Sequence, residues 1–143
     1  RGNTFVRTPF SFLGNLLKRY WRTSDILKDL QQDEIDVFHG LSHELPFGIE
    51  KTNIKSVVTI HDLIFIRYPH LFSAFDRKIY HKKFKSACKR ADKIIAVSEQ
   101  TRNDIIEFLK IDSTKIEVVY QGCNKVFQSS IPEERIKGQF PSC

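Results

Sequence analysis

The sequence predicts an α/β fold, a mostly parallel sheet flanked by helices, and three observations lead there. Four short apolar runs rich in β-branched residues occupy positions 35–38 (IDVF), 56–60 (SVVTI), 93–97 (KIIAV) and 115–120 (KIEVVY). None alternates strictly, which suits strands buried on both faces. Helix-period segments separate them, the order expected of parallel strands joined by crossover helices. Each run also switches to a polar residue or glycine at its carboxyl end.

In chain order, residues 1–9 read as irregular. Phe10, Leu13, Leu16, Leu17 and Tyr20 recur at helical spacing, interrupted by Gly14. A second helix is predicted from about Ser24, with Ile26, Leu27 and Leu30 on one face and Thr23 or Ser24 as its cap. After the first strand, GLSHELPFGIEKTN reads as a loop because of Pro46 and Gly48. A later helix carries an apolar stripe of Tyr80, Phe84, Ala87, Cys88 and Ala91, with Lys78, Lys82, Lys85 and Lys89 on another side. A helix over residues 99–110 follows the third strand, with Ser98 as N-cap. The tail from Lys125 reads as a linker or short helix.

At 143 residues the chain has the size of one domain and can bury a real core. Its longest uncharged stretch, residues 8–17, falls far short of the ~20 residues a spanning helix needs. A membrane-spanning protein is therefore excluded, and with no apolar opening run no signal peptide is expected. Three widely spaced cysteines without zinc spacing predict reduced thiols in a cytosolic protein. Methionine is absent even at position 1, which suggests a piece of a longer chain. The net charge of +6 is concentrated in residues 77–93, where eight cations face only Asp92. Such a field attracts phosphates, nucleic acid or an anionic bilayer. Nucleic acid is set aside, because Tyr80 and Phe84 lie on the apolar stripe and not on an exposed stacking platform.

Ligands of open α/β sheets bind beyond the carboxyl ends of the strands. Here those ends read His39-Gly40, His61-Asp62, Ser98-Glu99 and Gln121-Gly122. Termination and capping explain such residues as well as ligand contact does. Ser98 fits an N-cap, and His39 and His43 fit loop packing. His61-Asp62 is the least explained by architecture, since histidine is a poor cap and titrates near neutrality. Residues 96–100 lack the glycines of a nucleophile elbow. Neither GxGxxG nor GxxxxGK[ST] occurs, and no His, Asp or Glu set has helical metal spacing.

VVTIHDLIFIRYP (57–69), ADKIIAVSEQTRNDI (91–105) and KIEVVYQGCNKVF (115–127), preceded by DVFHGLSHELP (36–46), together resemble the acceptor-side domain of family-4 retaining glycosyltransferases. The closest flavour is mannosyltransferase-like. The resemblance implies one partial half of a GT-B enzyme, in which two Rossmann-like domains enclose a cleft. Residues 1–127 would form the partial N-terminal domain, and 128–143 a linker toward a C-terminal donor-binding domain. It implies transfer of a sugar from a nucleotide-sugar donor to a hydroxyl acceptor, glycan or lipid-linked, with retention. His61 would lie beside the donor sugar and be important for transfer. Asp62, Ser42, His43, Glu44, Ser98, Glu99 and Thr101 would line the substrate site. No metal or other cofactor is implied.

The family's glycine-rich loop and its paired glutamates have no counterpart. Glu99 and Glu107 match the spacing of those glutamates but fall in the wrong domain. The isolated chain is therefore expected to be inactive. The alternative is a noncatalytic module that binds anions or a membrane surface through Lys78, Lys82, Lys85 and Lys89. Both readings place the protein in the cytoplasm, with the basic helix able to hold it at the inner face of the membrane.

Overall fold

A computed structural model describes residues 21–122. The segment 10–20, the tail from Lys125, the proposed boundary at 127, Cys123 and Cys143 lie outside the described residues. Four strands, β1 (Val37–Gly40), β2 (Lys55–Ile60), β3 (Lys93–Ala96) and β4 (Ile116–Val118), form one sheet in the order β1-β2-β3-β4. All three pairings are parallel. The helices are α1 (Ile26–Gln32), α2 (Ile64–Arg67), α3 (Ala74–Arg90) and α4 (Glu99–Asp104), the last continuing as a π-helical turn over Ile105–Leu109. The architecture is a Rossmann-like parallel sheet flanked by helices.

The strands form where the apolar runs lie, because burial on both faces rewards unbroken β-branched sequence. Val58, Ile60, Ile94 and Ala96 have no accessible surface, and Thr59 between them is also buried. Burying each large aliphatic side chain contributes about 1.5–3 kcal/mol. α3 packs on β2, and α4 packs on β3 and β4. For a monotonic strand order, the right-handed crossover rule puts both helices on the same face of the sheet. Phe84, Ala87 and Cys88 are the buried face of α3. Tyr80, assigned to the same stripe, is 38% exposed and packs edge-on against Phe65 and Phe72. Burial pushes the free Cys88 thiol up to about 12, so it is inert packing.

Several boundaries differ from the sequence reading, and β4 keeps only Ile116–Val118 of the run 115–120. β1 lies two residues later than 35–38 and includes His39 and Gly40. Pairing with β2 determines this, since Val37–Gly40 face Lys55–Val58 in register. The expected cap at Thr23 or Ser24 is absent. The chain is already helical over Trp21–Asp25 in a π-helical turn, and Asp25 flanks α1 without a side-chain cap bond. Preceding carbonyls thus take the place of a cap. Finally, Pro69–Leu71 forms a 3₁₀ turn between α2 and α3 in a segment the periodicity left unassigned.

The amino edge of the sheet is closed by side chains. Asp92 Oδ2 accepts from the backbone N–H (2.8 Å) and hydroxyl (3.0 Å) of buried Ser56. These bonds, the backbone one foremost, hold the Asp92 carboxyl below its usual range. Lys115 Nζ donates to the Lys89 and Ala91 carbonyls at the end of α3. A cation there suits the helix dipole.

Candidate functional site

At the carboxyl edge the chain turns back sharply after β1. A β-carbon on Gly40 would lie 2.0 Å from the Glu44 carbonyl oxygen, so only glycine lets residues 41–45 fold over the strand end. Within that turn His43 takes a left-handed conformation (φ 61°) and its N–H donates to the Thr59 carbonyl at 3.3 Å. Its ring stacks on Phe84 of α3, centroids 4.4 Å apart and 12° between planes. Two cations of α3 hold the same loop. Lys83 pairs with Glu44, and Arg90 donates to the Pro46 and Leu45 carbonyls while lying over Phe47. An open cleft of about 320 Å³ runs along the loop, lined among others by His39, Gly40, Leu41, Ser42 and Glu44.

His61, the residue after β2, is tied down from three other segments. Its N–H donates to His43 Nδ1 (3.4 Å), and its carbonyl accepts from the buried Thr101 hydroxyl (3.0 Å). Its ring Nε2 lies 2.9 Å from the Leu41 carbonyl and its Nδ1 lies 3.3 Å from Gln121 Nε2. The His43 and His61 rings meet edge to face at 5.2 Å. The β1 loop, the start of α4 and the end of β4 therefore converge on one histidine, which remains partly accessible.

The other sequence-proposed residues fall around this point in different roles. Exposed Asp62 accepts from the Ile64 N–H at 3.3 Å and so starts α2. Ser98 is the N-cap of α4, its hydroxyl accepting from the Thr101 N–H at 3.1 Å and lying 3.0 Å from the Thr101 hydroxyl. Glu99 is exposed and pairs with Arg102 at 3.9 Å. Ser42 is exposed at the cleft. His39 Nε2 hydrogen-bonds the Thr59 hydroxyl at 2.8 Å, which ties β1 to β2. Among the described residues no three His, Cys, Asp or Glu side chains come together to hold a metal ion.

Sequence reasoning missed the Leu41 carbonyl and the Gln121 carboxamide as partners of His61, and the Phe84 floor beneath His43. It also missed the ion pair between Arg67 and buried Asp104, to which Gln100 donates at 2.7 Å. That pair ties α2, and with it the segment after His61-Asp62, to α4. Only Gln121 gave a signal, as the polar residue ending a strand-like run.

Burial is the first cause, and the neighbouring His61 the second, of a His43 pKa lowered to about 4; Asp62 opposes the shift and Lys83 adds to it. The neutral ring is what His61 N–H requires as an acceptor. Because the folded value lies below the unfolded 6.5, this contribution to stability is fully present above pH 6.5. It is lost as pH falls from there toward 4. A shift of that size corresponds to roughly 3 kcal/mol, and solvent screening of the partly exposed ring reduces it to about 1–2 kcal/mol. Urea unfolding at pH 7 and pH 4.5 should show this loss in the wild type and a smaller one in His43→Gln, which retains an acceptor but does not titrate. Equal pH dependence in both proteins would exonerate His43.

The fold is a Rossmann-like parallel sheet whose strand ends converge on a histidine beside an open cleft, and sequence similarity places it among the glycosyltransferases. The sequence model of Glycosyltransferase Family 4 matches residues 1–125, and the chain belongs to that family. The crystal structure of a glycosyltransferase from Rickettsia africae ESF-5 is similar with a TM-score of 0.50 and 21% identity, over 99% of this chain and 35% of that one. At that identity the likeness concerns the fold, and this chain spans about a third of that protein's length. No curated protein matches the sequence.

Proposed function

We propose that the chain is the acceptor-side half of a two-domain enzyme that transfers a sugar, mannose being the first candidate, from a nucleotide-sugar donor to a hydroxyl acceptor with retention. The observation that carries this reading is the convergence on His61. Main-chain and ring contacts from three strand-end segments preorganise a hydrogen-bonding side chain at the edge where an α/β sheet receives its ligand. Asp62 fixes the start of α2, Thr101 holds the His61 carbonyl, Ser42 and Glu44 border the cleft, and His43, stacked on Phe84, supports His61 from within the same acceptor-side loop. Catalysis in such a site rests on positioning the donor sugar against the acceptor hydroxyl. Within the proposal, donor binding belongs to the second domain and the isolated chain is inactive. The test is donor hydrolysis and transfer by the intact protein over a panel of nucleotide sugars, with the anomeric configuration of the product read by NMR. Use of one donor with retention is the expected result. Inertness toward all donors would remove the reading.

A second reading, compatible with the first, is favoured by one feature of α3. Phe75, Lys78, Ile79 and Lys82 share a face at i, i+3, i+4 and i+7, and Leu71 precedes them. Phe75 is 74% exposed and Leu71 66%. Lys82 and Lys89 are exposed and Lys85 is half-buried. Exposed apolar side chains beside lysines suit the headgroup region of an anionic bilayer. Among the described residues no helix is long and apolar enough to cross a membrane, so the contact would be peripheral. Binding to anionic but not zwitterionic vesicles, weakened by salt and by Phe75→Ser with Lys82→Gln, is expected. Equal binding by the double variant would refute it.

A further inference from the structure

We infer that Gln121 is a positioning residue for His61: with the Leu41 carbonyl fixing the Nε2–H tautomer, its carboxamide holds the ring in place and keeps the Nδ1 lone pair oriented, at the exposed rim, for a hydroxyl of the sugar that displaces it. This rests on the reading of His61 as part of a sugar-transfer site. The chemistry follows from what each partner can do. The Leu41 carbonyl, 2.9 Å from Nε2, only accepts, so Nε2 carries a proton. In the neutral ring Nδ1 is then an acceptor, and the group facing it at 3.3 Å is the donating end of the Gln121 carboxamide.

The remaining hydrogen bonds of His61, to His43 and Thr101, involve only its backbone, and its ring meets the His43 ring edge to face without using a ring nitrogen lone pair. Gln121 is thus the side chain set against the ring's second nitrogen. It is exposed, beyond the end of β4, and can swing away into solvent. A sugar hydroxyl offers the same donor to the same lone pair, so the exchange leaves the ring's proton and orientation unchanged. Gln121 therefore steadies the tautomer that the Leu41 carbonyl sets before the ligand arrives, and yields its place when it does.

The intact protein, labelled with ¹⁵N-histidine, tests this by long-range ¹⁵N–¹H correlation at pH 7.5, with His61→Asn used to assign the signals. In the wild type, His61 should show a protonated Nε2 and an unprotonated Nδ1. Gln121→Ala should keep Nε2 protonated, shift the Nδ1 signal as water replaces the carboxamide, and lower kcat/KM about fivefold to tenfold. Gln121→Glu, whose carboxylate only accepts, should move the Nδ1 signal to the protonated position, a change that loss of packing alone would not produce. An Nδ1–H tautomer in the wild type, or a His61 spectrum unchanged by both substitutions, would overturn the inference. The expected spectra in a protein that uses no sugar nucleotide would uphold the Gln121–His61 contact and sink the transfer reading.

Discussion

Gly40→Ala should destabilise the fold by about 3 kcal/mol or more and disassemble the edge that carries His43 and His61. The added β-carbon would fall 2.0 Å from the Glu44 carbonyl oxygen and 3.2 Å from Leu45 Cδ2. The first obstacle is backbone, so no rotamer change relieves it, and residues 41–45 must move as a unit by about an ångström. That loop is pinned from outside by the Lys83–Glu44 pair and by Arg90 on the Pro46 and Leu45 carbonyls. Moving it withdraws the Leu41 carbonyl from His61 Nε2 and the His43 ring from the His61 N–H together. Urea unfolding measures the first effect, and the dispersion of the His43 and His61 ring signals the second. Gly122→Ala is the control, because a β-carbon there meets nothing within 4 Å, and it should stay within about 0.5 kcal/mol of the parent. Equal stability of the two variants would mean that the turn after β1 is not tight.

Much of this arrangement was legible because it depends on periodicity and on hydrogen bonds between near neighbours. β2 and β3 follow their β-branched runs closely, and Ser98 caps α4 as its position before Glu99 requires. Both are local effects, decided within a few residues. β1 was placed two residues early because its ends depend on the pairing of Val37 with Lys55, which no local pattern encodes. The role of Thr101 could not be read either. Its hydroxyl reaches a carbonyl 40 positions away, and a threonine in the first turn of a helix looks like surface until the sheet places it under His61. Glu44 and Lys83, Arg67 and Asp104, and Gln121 and His61 are contacts of the same long-range kind. The basic helix was legible as charge but not as a division of labour. Lys83 and Arg90 are consumed in holding the β1 loop, while Lys78, Lys82 and Lys89 remain on an exposed face with Phe75 and Ile79.

His61→Ala in the intact protein should lower the rate of sugar transfer by about 10²–10³, the loss typical of removing one preorganised hydrogen-bonding group from a reacting centre. The fold should be nearly unaffected, with a change in unfolding free energy of about 1 kcal/mol or less. The ring's two side-chain bonds are exposed, to Leu41 and to Gln121, and water replaces them when the imidazole is removed. The two contacts that anchor this residue to the sheet edge, to His43 and Thr101, use its backbone and survive the substitution. That separation makes the variant informative. Gly40→Ala moves the whole edge and would depress transfer for structural reasons, whereas His61→Ala removes chemistry from an edge left in place. A large fall in transfer with an unchanged unfolding midpoint assigns His61 to the reaction. A variant that transfers at the parental rate would instead make the convergence on this residue a means of closing the sheet edge, and the acceptor-side role would pass to Ser42 and Glu44 along the cleft.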